Sequence, residues 1–282
     1  MILIADSGST KTDWVLLNLK SGEKKTYSGI GLNPYYSDSN SVLKEVSTLF
    51  KNLDTSRVSH LYFYGAGCSS IKTKKIITEG LQPFFSSSNI EVSHDLDGAA
   101  RALCKTTNGI ACILGTGSNA AVYDGQKITK TAVSLGYLLG DEGSGNALGK
   151  KLIHSIFLQQ APQEIISLFN NEFSLSLDDL LSEIYHKPSP NRYLASFSTF
   201  INRNKHHSFL LDLIYKTFEE FLEIVIKPLQ VNQNLPLHFT GSIAWFFQSE
   251  LKHIVEKAGY TTGIISQKPI DELVIYHQAT EY

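Results

Sequence analysis

Residues 3–14, LIADSGSTKTDW, set an apolar run, a polar turn and the start of a second apolar run end to end. Ile2, Leu3, Ile4 and Ala5 predict a buried strand. Asp6 closes it, and Ser7 to Thr12 lead to a second strand at Trp14, Val15, Leu16 and Leu17. Two strands this close in sequence make the Gly/Ser/Thr segment the tip of a β-hairpin. Gly8 lets the backbone approach a ligand closely. Successive N–H groups in such a tip form a nest for anions. Ser9, Thr10 and Thr12 add hydroxyl donors, Lys11 adds charge, and Asp6 is placed to hold a metal ion through water. Taken alone, the stretch fits an ordinary polar hairpin equally well. It is not a Walker A loop, whose G-x-x-x-x-G-K-[ST] pattern occurs nowhere in the sequence.

Beyond the hairpin, Lys24–Gly31 predicts a third strand, followed by a Gly-rich loop carrying Asn33 before Pro34. Asp38 offers a helix N-cap, and Val42, Val46, Leu49 and Phe50 recur at helical spacing. A strand at His60–Tyr64, a helix over Ile71–Phe85, a strand at Ile90–Ser93 and a helix over Gly98–Cys104 follow. At Gly109 the opening pattern returns: apolar Ile110–Leu114, the turn Gly115-Thr116-Gly117-Ser118-Asn119, apolar Ala120–Tyr123, then a hairpin signal at Asp124-Gly125. The echo suggests two similarly built lobes, with coincidence as the alternative. A loop at Leu139–Gly145 opens a helix. Residues 162–231 are largely helical, interrupted at Lys187–Pro190. A strand at Pro236–Thr240, a Gly turn, a helix, a strand at Thr261–Ile265 and a closing helix over 269–280 with Pro269 in its first turn complete the chain. This order predicts mixed sheets with helices packed on them.

The 282 residues suffice for two domains of ordinary size. A hydrophobic content of 42% with 18% charged residues describes a globular protein. The net charge of −2 gives no basic surface for nucleic acid. No apolar run reaches the roughly 18 residues of a membrane span, and no basic leader opens the chain, so the expectation is a cytoplasmic protein away from membranes. Cys68, Cys104 and Cys112 are too few and too irregular for a disulfide framework and read as reduced core residues.

Three Gly/Ser/Thr turns at strand ends, residues 7–12, 115–119 and 240–244, together with Asp95 at a strand end and Asp141 in a Gly loop before a helix, suit a nucleotide bound without Walker A. In these motifs the chain resembles the BadF/BadG/BcrA/BcrD ATPase family of the sugar kinase, actin and heat-shock chaperone superfamily, and within it the N-acetylglucosamine kinase branch. Asp6–Thr12 is similar to the phosphate-1 motif, Gly115–Asn119 to phosphate-2, and Thr240-Gly241-Ser242-Ile243-Ala244 to the adenosine motif. Gly136–Ser144, with its Gly-Asp-Glu-Gly-Ser block, is the most distinctive match, and Pro269–His277 resembles the C-terminal segment. The likeness spans Asp6 to His277.

The resemblance implies an α/β fold of two ribonuclease-H-like lobes around an interdomain cleft. The lobes would be residues 1–107 and 108–267, the second with a helical insertion, and a C-terminal helix over 268–282 would return to the first lobe. It implies ATP and Mg²⁺ as cofactors and a small amino sugar as partner, and leaves room for a homodimer. Gly8, Ser9, Thr10, Lys11 and Thr116 would meet the ATP phosphates, Gly241, Ser242 and Ile243 would flank the adenosine, and Asp6 would hold Mg²⁺ through water. Asp95 falls where the family's catalytic aspartate stands, with Asp97 a competing carboxylate and a helix N-cap the structural alternative for Asp95. Sugar contacts would come from Asn33, Asp95, Ser118, Asn119, Ser134, Gly136 and Asp141. The implied activity is phosphorylation of N-acetylglucosamine to its 6-phosphate, with glucosamine and N-acetylmuramic acid as competing substrates. An ATPase activator subunit is an alternative, although the three cysteines lack the spacing for an iron–sulfur cluster. A non-enzymatic sugar sensor is another, and no helix-turn-helix extension is present to support it.

Overall fold

The computed structural model describes residues 1–8, 10–232 and 234–280. Contacts divide the chain into two compact units, one of Met1–Thr107, Gly125–Ile128 and Lys268–Tyr282, the other of Asn108–Asp124 and Thr129–Gln267.

In the first unit, β1 (Ile2–Ser7), β2 (Lys11–Leu17), β3 (Lys24–Ile30), β4 (His60–Gly65) and β5 (Asn89–His94) form a sheet of order β3-β2-β1-β4-β5. β1 and β2 are antiparallel, whereas β4 runs parallel to both β1 and β5. Side chains alternate across the sheet. Leu3 and Ala5 of β1 join Trp14, Leu16 and Phe63 in a core covered by α1 (Ser39–Leu49) and α2 (Ile71–Leu81). Trp14 meets Phe50 edge-on at 5.2 Å, and Phe50 meets Phe85 at 5.6 Å. Burying each such ring stabilises the unit by roughly 1.5–3 kcal/mol. α2 ends at Leu81, short of the expected Phe85, because Pro83 restricts the residue before it and cannot donate to a helical carbonyl.

α3 (Asp95–Cys104) follows β5 and covers the opposite face. It begins three residues earlier than Gly98, the start expected from the sequence.

The second unit repeats this plan. β6 (Asn108–Leu114), β7 (Ser118–Asp124), β8 (Ile128–Thr131), β9 (Leu237–Thr240) and β10 (Thr262–Ser266) lie in the order β10-β9-β6-β7-β8. The first hairpin is again antiparallel, and β9 again runs parallel to both its neighbours. α4 (Gly136–Leu139) and α5 (Gly145–Phe157) follow the hairpin. Between β8 and β9 also lie α6 (Gln163–Phe173), α7 (Leu177–Tyr185), α8 (Pro190–Ser196), α9 (Ser198–Asn204) and α10 (Ser208–Glu220). α11 (Ser242–Phe246) and α12 (Gln248–Lys257) join the last two strands. One core unites Ile110, Cys112 and Leu114 of β6 with Leu148, Leu152 and Ile156 of α5 and Phe218 of α10.

The chain ends in α13 (Pro269–Thr280), which packs on α3, β1 and β2 of the first unit through Ile270, Leu273 and Val274. Tyr64 Oη and His277 Nε2, 2.9 Å apart, tie this helix to β4. Among the described residues no helix is long and apolar enough to cross a membrane.

Candidate active site

The hairpin tip in the first unit is tighter than its sequence suggests. Ser7 pairs with Thr12 and Asp6 with Asp13 across β1 and β2. The Gly8 N–H donates to Lys11 O at 3.0 Å, so this amide closes the turn and is not open to an anion. Thr12 also turns inward. Its hydroxyl donates to Ile30 O at 2.7 Å, which leaves the Ser7 hydroxyl to donate to Thr12 Oγ1, also at 2.7 Å. Both side chains are fully buried. Of the expected hydroxyl donors, Thr10 is the one seen exposed; Ser9 lies outside the described residues. Lys11 Nζ pairs with Asp13 Oδ1 at 2.7 Å, but it is half-exposed, and such a pair is weak enough to yield to a phosphate.

Three carboxylates belong to this region. The carboxyl of Asp6 is pushed up to about 7, first by burial, then by the charges of Asp95 and Asp13, with Lys11 opposing. Asp13 was not singled out from the sequence. Its signal was there, because residues equally spaced about a hairpin tip face each other, and 6 and 13 are so spaced about 7 and 12. A divalent cation would remove the repulsion, and an oxygen-only set suits Mg²⁺. Among the described residues no three His, Cys, Asp or Glu side chains converge as a metal cage. One carboxylate with water and substrate phosphates is the usual way Mg²⁺ is held, so Asp6 fits the role.

The start of α3 separates Asp95 from Asp97. His94 is the N-cap. Its Nδ1 accepts the Leu96 N–H at 3.3 Å, and Asp97 Oδ2 accepts the His94 N–H at 3.2 Å. Asp97 is therefore committed to a capping box. Asp95 is the first helical residue and not the cap. Its Oδ1 is buried and makes no aligned hydrogen bond among the described residues, although His94 Nδ1 lies 3.0 Å away. Burial lowers the His94 pKa, but Asp95 and Asp97 outweigh it and the net direction is up. Asn33, also in this unit, is 7% exposed. Its Oδ1 accepts the Tyr35 N–H at 3.0 Å, and its carbonyl accepts from Tyr36 and Ser37, so it organises a turn.

In the second unit the 115–119 turn is braced from outside. The Gly115 N–H donates to Gly117 O at 2.9 Å, while the Gly115 and Thr116 carbonyls accept the N–H groups of Gly145 and Asn146 at 2.8 and 3.1 Å. The first amides of α5 are thereby occupied. Asp141 Oδ1 accepts the Ser118 N–H at 3.2 Å. A Cβ on Gly117 would lie 2.8 Å from Asp141 Oδ2, so a side chain there would have to displace the Asp141 carboxylate. Burial raises the Asp141 pKa, partly offset by the Ser118 N–H and Lys150. The structure thus brings Thr116, Ser118 and Asp141 together. Asn119 Oδ1 caps the neighbouring Ala120 N–H at 2.9 Å. Ser134 and Gly136 are exposed on the approach to α4.

Gly241 has φ 109°, and a Cβ there would sit 2.4 Å from Leu114 O. The 240–244 turn accordingly abuts Leu114 and Gly115 at the end of β6. Ser242 is exposed, whereas Ile243 is 4% exposed and belongs to the core, leaving its main chain alone to meet a ligand. Asn146, fully buried on α5, was not picked out by sequence, where it carries no motif.

No protein-family model matches the chain, and no curated protein matches it. Solved structures do. A candidate N-acetylglucosamine kinase from Porphyromonas gingivalis is 38% identical, with 100% of both chains covered and a TM-score of 0.94. Another, from Chromobacterium violaceum, shares 15% identity over 98% of this chain and 99% of that one, with a TM-score of 0.74. A ROK family glucokinase from Streptomyces griseus, solved with glucose and AMPPNP, shares 12% identity over 99% of each chain with a TM-score of 0.61. The last two show the fold alone, the two-lobed ribonuclease-H-like architecture of sugar kinases. With the identity to the Porphyromonas protein, the chain belongs to the N-acetylglucosamine kinase-like family of sugar kinases, in the actin/hexokinase superfamily.

Proposed function

We propose that the protein transfers the γ-phosphoryl group of ATP to the 6-hydroxyl of N-acetylglucosamine, as a member of the BadF/BadG/BcrA/BcrD branch. The carrying observation is the 38% identity over the whole chain to the Porphyromonas protein. Asp95 is the general base, accepting the proton of the attacking sugar hydroxyl. Support comes from its carboxylate being left out of the α3 cap that engages Asp97. Thr10 and Lys11 at the hairpin tip and Thr116 in the second turn bind the phosphates, with Gly8 shaping the tip rather than donating its amide. Gly241 and Ser242 border the adenosine, to which Ile243 offers main chain. Asp6 would hold Mg²⁺, and the ion would supply charge neutralisation to the transferring phosphoryl group. Asn33, Ser118, Asn119, Ser134, Gly136 and Asp141 position the sugar. Positioning of this kind supplies most of the catalysis in phosphoryl transfer.

The activator reading is disfavoured by the thiols. Cys68, Cys104 and Cys112 are all buried, so none is offered at a surface where a cluster shared between subunits would bind. An ADP-release screen over hexoses and amino sugars tests the proposal. Release with N-acetylglucosamine and not with glucose is expected; release without any sugar would favour an ATPase instead.

A further inference from the structure

Ser134 and Gly136, assigned above to the sugar, lie in a segment that packing holds weakly. Val133, Leu135, Leu138 and Leu139 are 84%, 60%, 73% and 75% exposed. Polar donors from α5 hold it instead. Asn146 Nδ2 donates to Tyr137 O at 2.9 Å, and Lys150 Nζ, one turn further along, donates to the same oxygen at 2.9 Å. The main-chain N–H of Asn146 donates to Thr116 O at 3.1 Å. One residue therefore grips the phosphate turn with its backbone and the sugar segment with its side chain.

The amide oxygen explains why the residue type matters. Asn146 is fully buried, and its Oδ1 has no hydrogen-bond partner among the described residues. An orphaned buried acceptor destabilises a fold. A leucine, which branches in the same place, would carry no such orphan. What the amide supplies here, and leucine lacks, is the donor to Tyr137 O. Orphaned polar groups of this kind in a folded protein call for such an explanation.

We propose that Asn146, backed by Lys150, is a positioning residue that couples the phosphate-binding turn to the sugar-binding segment. By fixing the Tyr137 carbonyl it keeps Ser134–Gly136 in register with Thr116. This role rests on the sugar-kinase reading given above and adds a residue to it.

Asn146→Ala should raise the KM for the amino sugar about tenfold and leave the KM for ATP within about twofold, because the main-chain contact to Thr116 survives. Lys150→Met, at a half-buried and more tolerant position, should raise the sugar KM about threefold by the same route, and Lys150→Arg should restore it. Amide hydrogen exchange gives a readout independent of turnover. Exchange at residues 136–140, where the Gly140 N–H is bonded to Gly136 O, should quicken in Asn146→Ala while β7 stays protected. Equal shifts in both KM values, or unchanged exchange at 136–140, would overturn the coupling. If Asn146→Ala does not fold, Lys150→Met carries both measurements. If the wild type phosphorylates no sugar, the kinase reading fails on its own account, and exchange alone decides whether Asn146 holds the segment.

Discussion

The turn after β1 and the turn after β6 occupy the same place in two sheets of the same topology. Read from the third strand, the order is β3-β2-β1-β4-β5 in one unit and β8-β7-β6-β9-β10 in the other. Ser7 opposite Thr12 corresponds to Leu114 opposite Ser118, so Asp6 opposite Asp13 corresponds to Ile113 opposite Asn119. The first turn is closed by its own hairpin and by β3, and carries the facing carboxylates. The second is neutral and is braced by α5 and Asp141, elements from outside the hairpin. The shared topology supplies a turn in each unit, and side chains alone decide its chemistry. Charge and proton transfer are assigned to the first unit, and rigid positioning to the second.

The sharpest way to break this contrast is to neutralise one carboxylate on each side. Asp95→Asn should cut kcat by about 10²–10⁴, the usual weight of one general base, with ATP and sugar binding nearly unchanged. Asp141→Asn should act chiefly on the sugar KM, since its carboxylate braces Ser118. Steady-state kinetics with both substrates would separate the two, and a variant of Asp95 keeping half the wild-type kcat would remove it as the base.

Gly241→Ala tests the bracing of the second unit. It combines a left-handed φ with a Cβ pressed on Leu114 O, so a loss of roughly 3 kcal/mol in thermal or urea unfolding is expected. A loss below about 1 kcal/mol would mean that the 240–244 turn can retreat from β6.

A smaller effect probes the acidic side through pH. The folded-state pKa of Asp6 is raised to about 7, above the roughly 4 of an unfolded carboxyl. Between these values the folded protein keeps a proton that the unfolded chain has lost. The stabilisation is full below about pH 4 and lost as pH rises through about 7. Asp6→Asn should flatten that decline and be more stable than wild type at pH 8 by roughly 2 kcal/mol in the absence of Mg²⁺, a figure discounted for partial exposure. Parallel stability–pH curves for the two proteins would contradict the assignment.

The smallest expected change is Thr10→Ala, whose exposed hydroxyl is assigned to phosphate. The KM for ATP should rise about threefold with the sugar KM unchanged. The reverse pattern would place the hairpin tip against the other ligand.

Much of this was legible in the sequence for a plain reason: apolar runs broken by Gly/Ser/Thr turns can be little else than strands and hairpins, and two such hairpins opened the two sheets. The closing helix was equally clear from Pro269 at its start. What the sequence concealed was direction. Whether Thr12 points to solvent or inward depends on β3 lying alongside, which no local pattern encodes. α3 begins three residues before Gly98 because its start signal is a histidine cap answered by Asp97, a pairing outside the usual Ser, Thr, Asp and Asn caps. Asn146 could not be seen at all, since its role is fixed by loops about 30 and 9 positions away in the chain, joined only after folding.

The central claim is the transfer of a phosphoryl group to an amino sugar, and identification of the product tests it most directly. Wild-type protein incubated with Mg²⁺, ATP and N-acetylglucosamine should yield one ADP per sugar, with ³¹P–¹H coupling placing the new phosphate on the carbon-6 oxygen. ADP accompanied by free inorganic phosphate and unmodified sugar would contradict it.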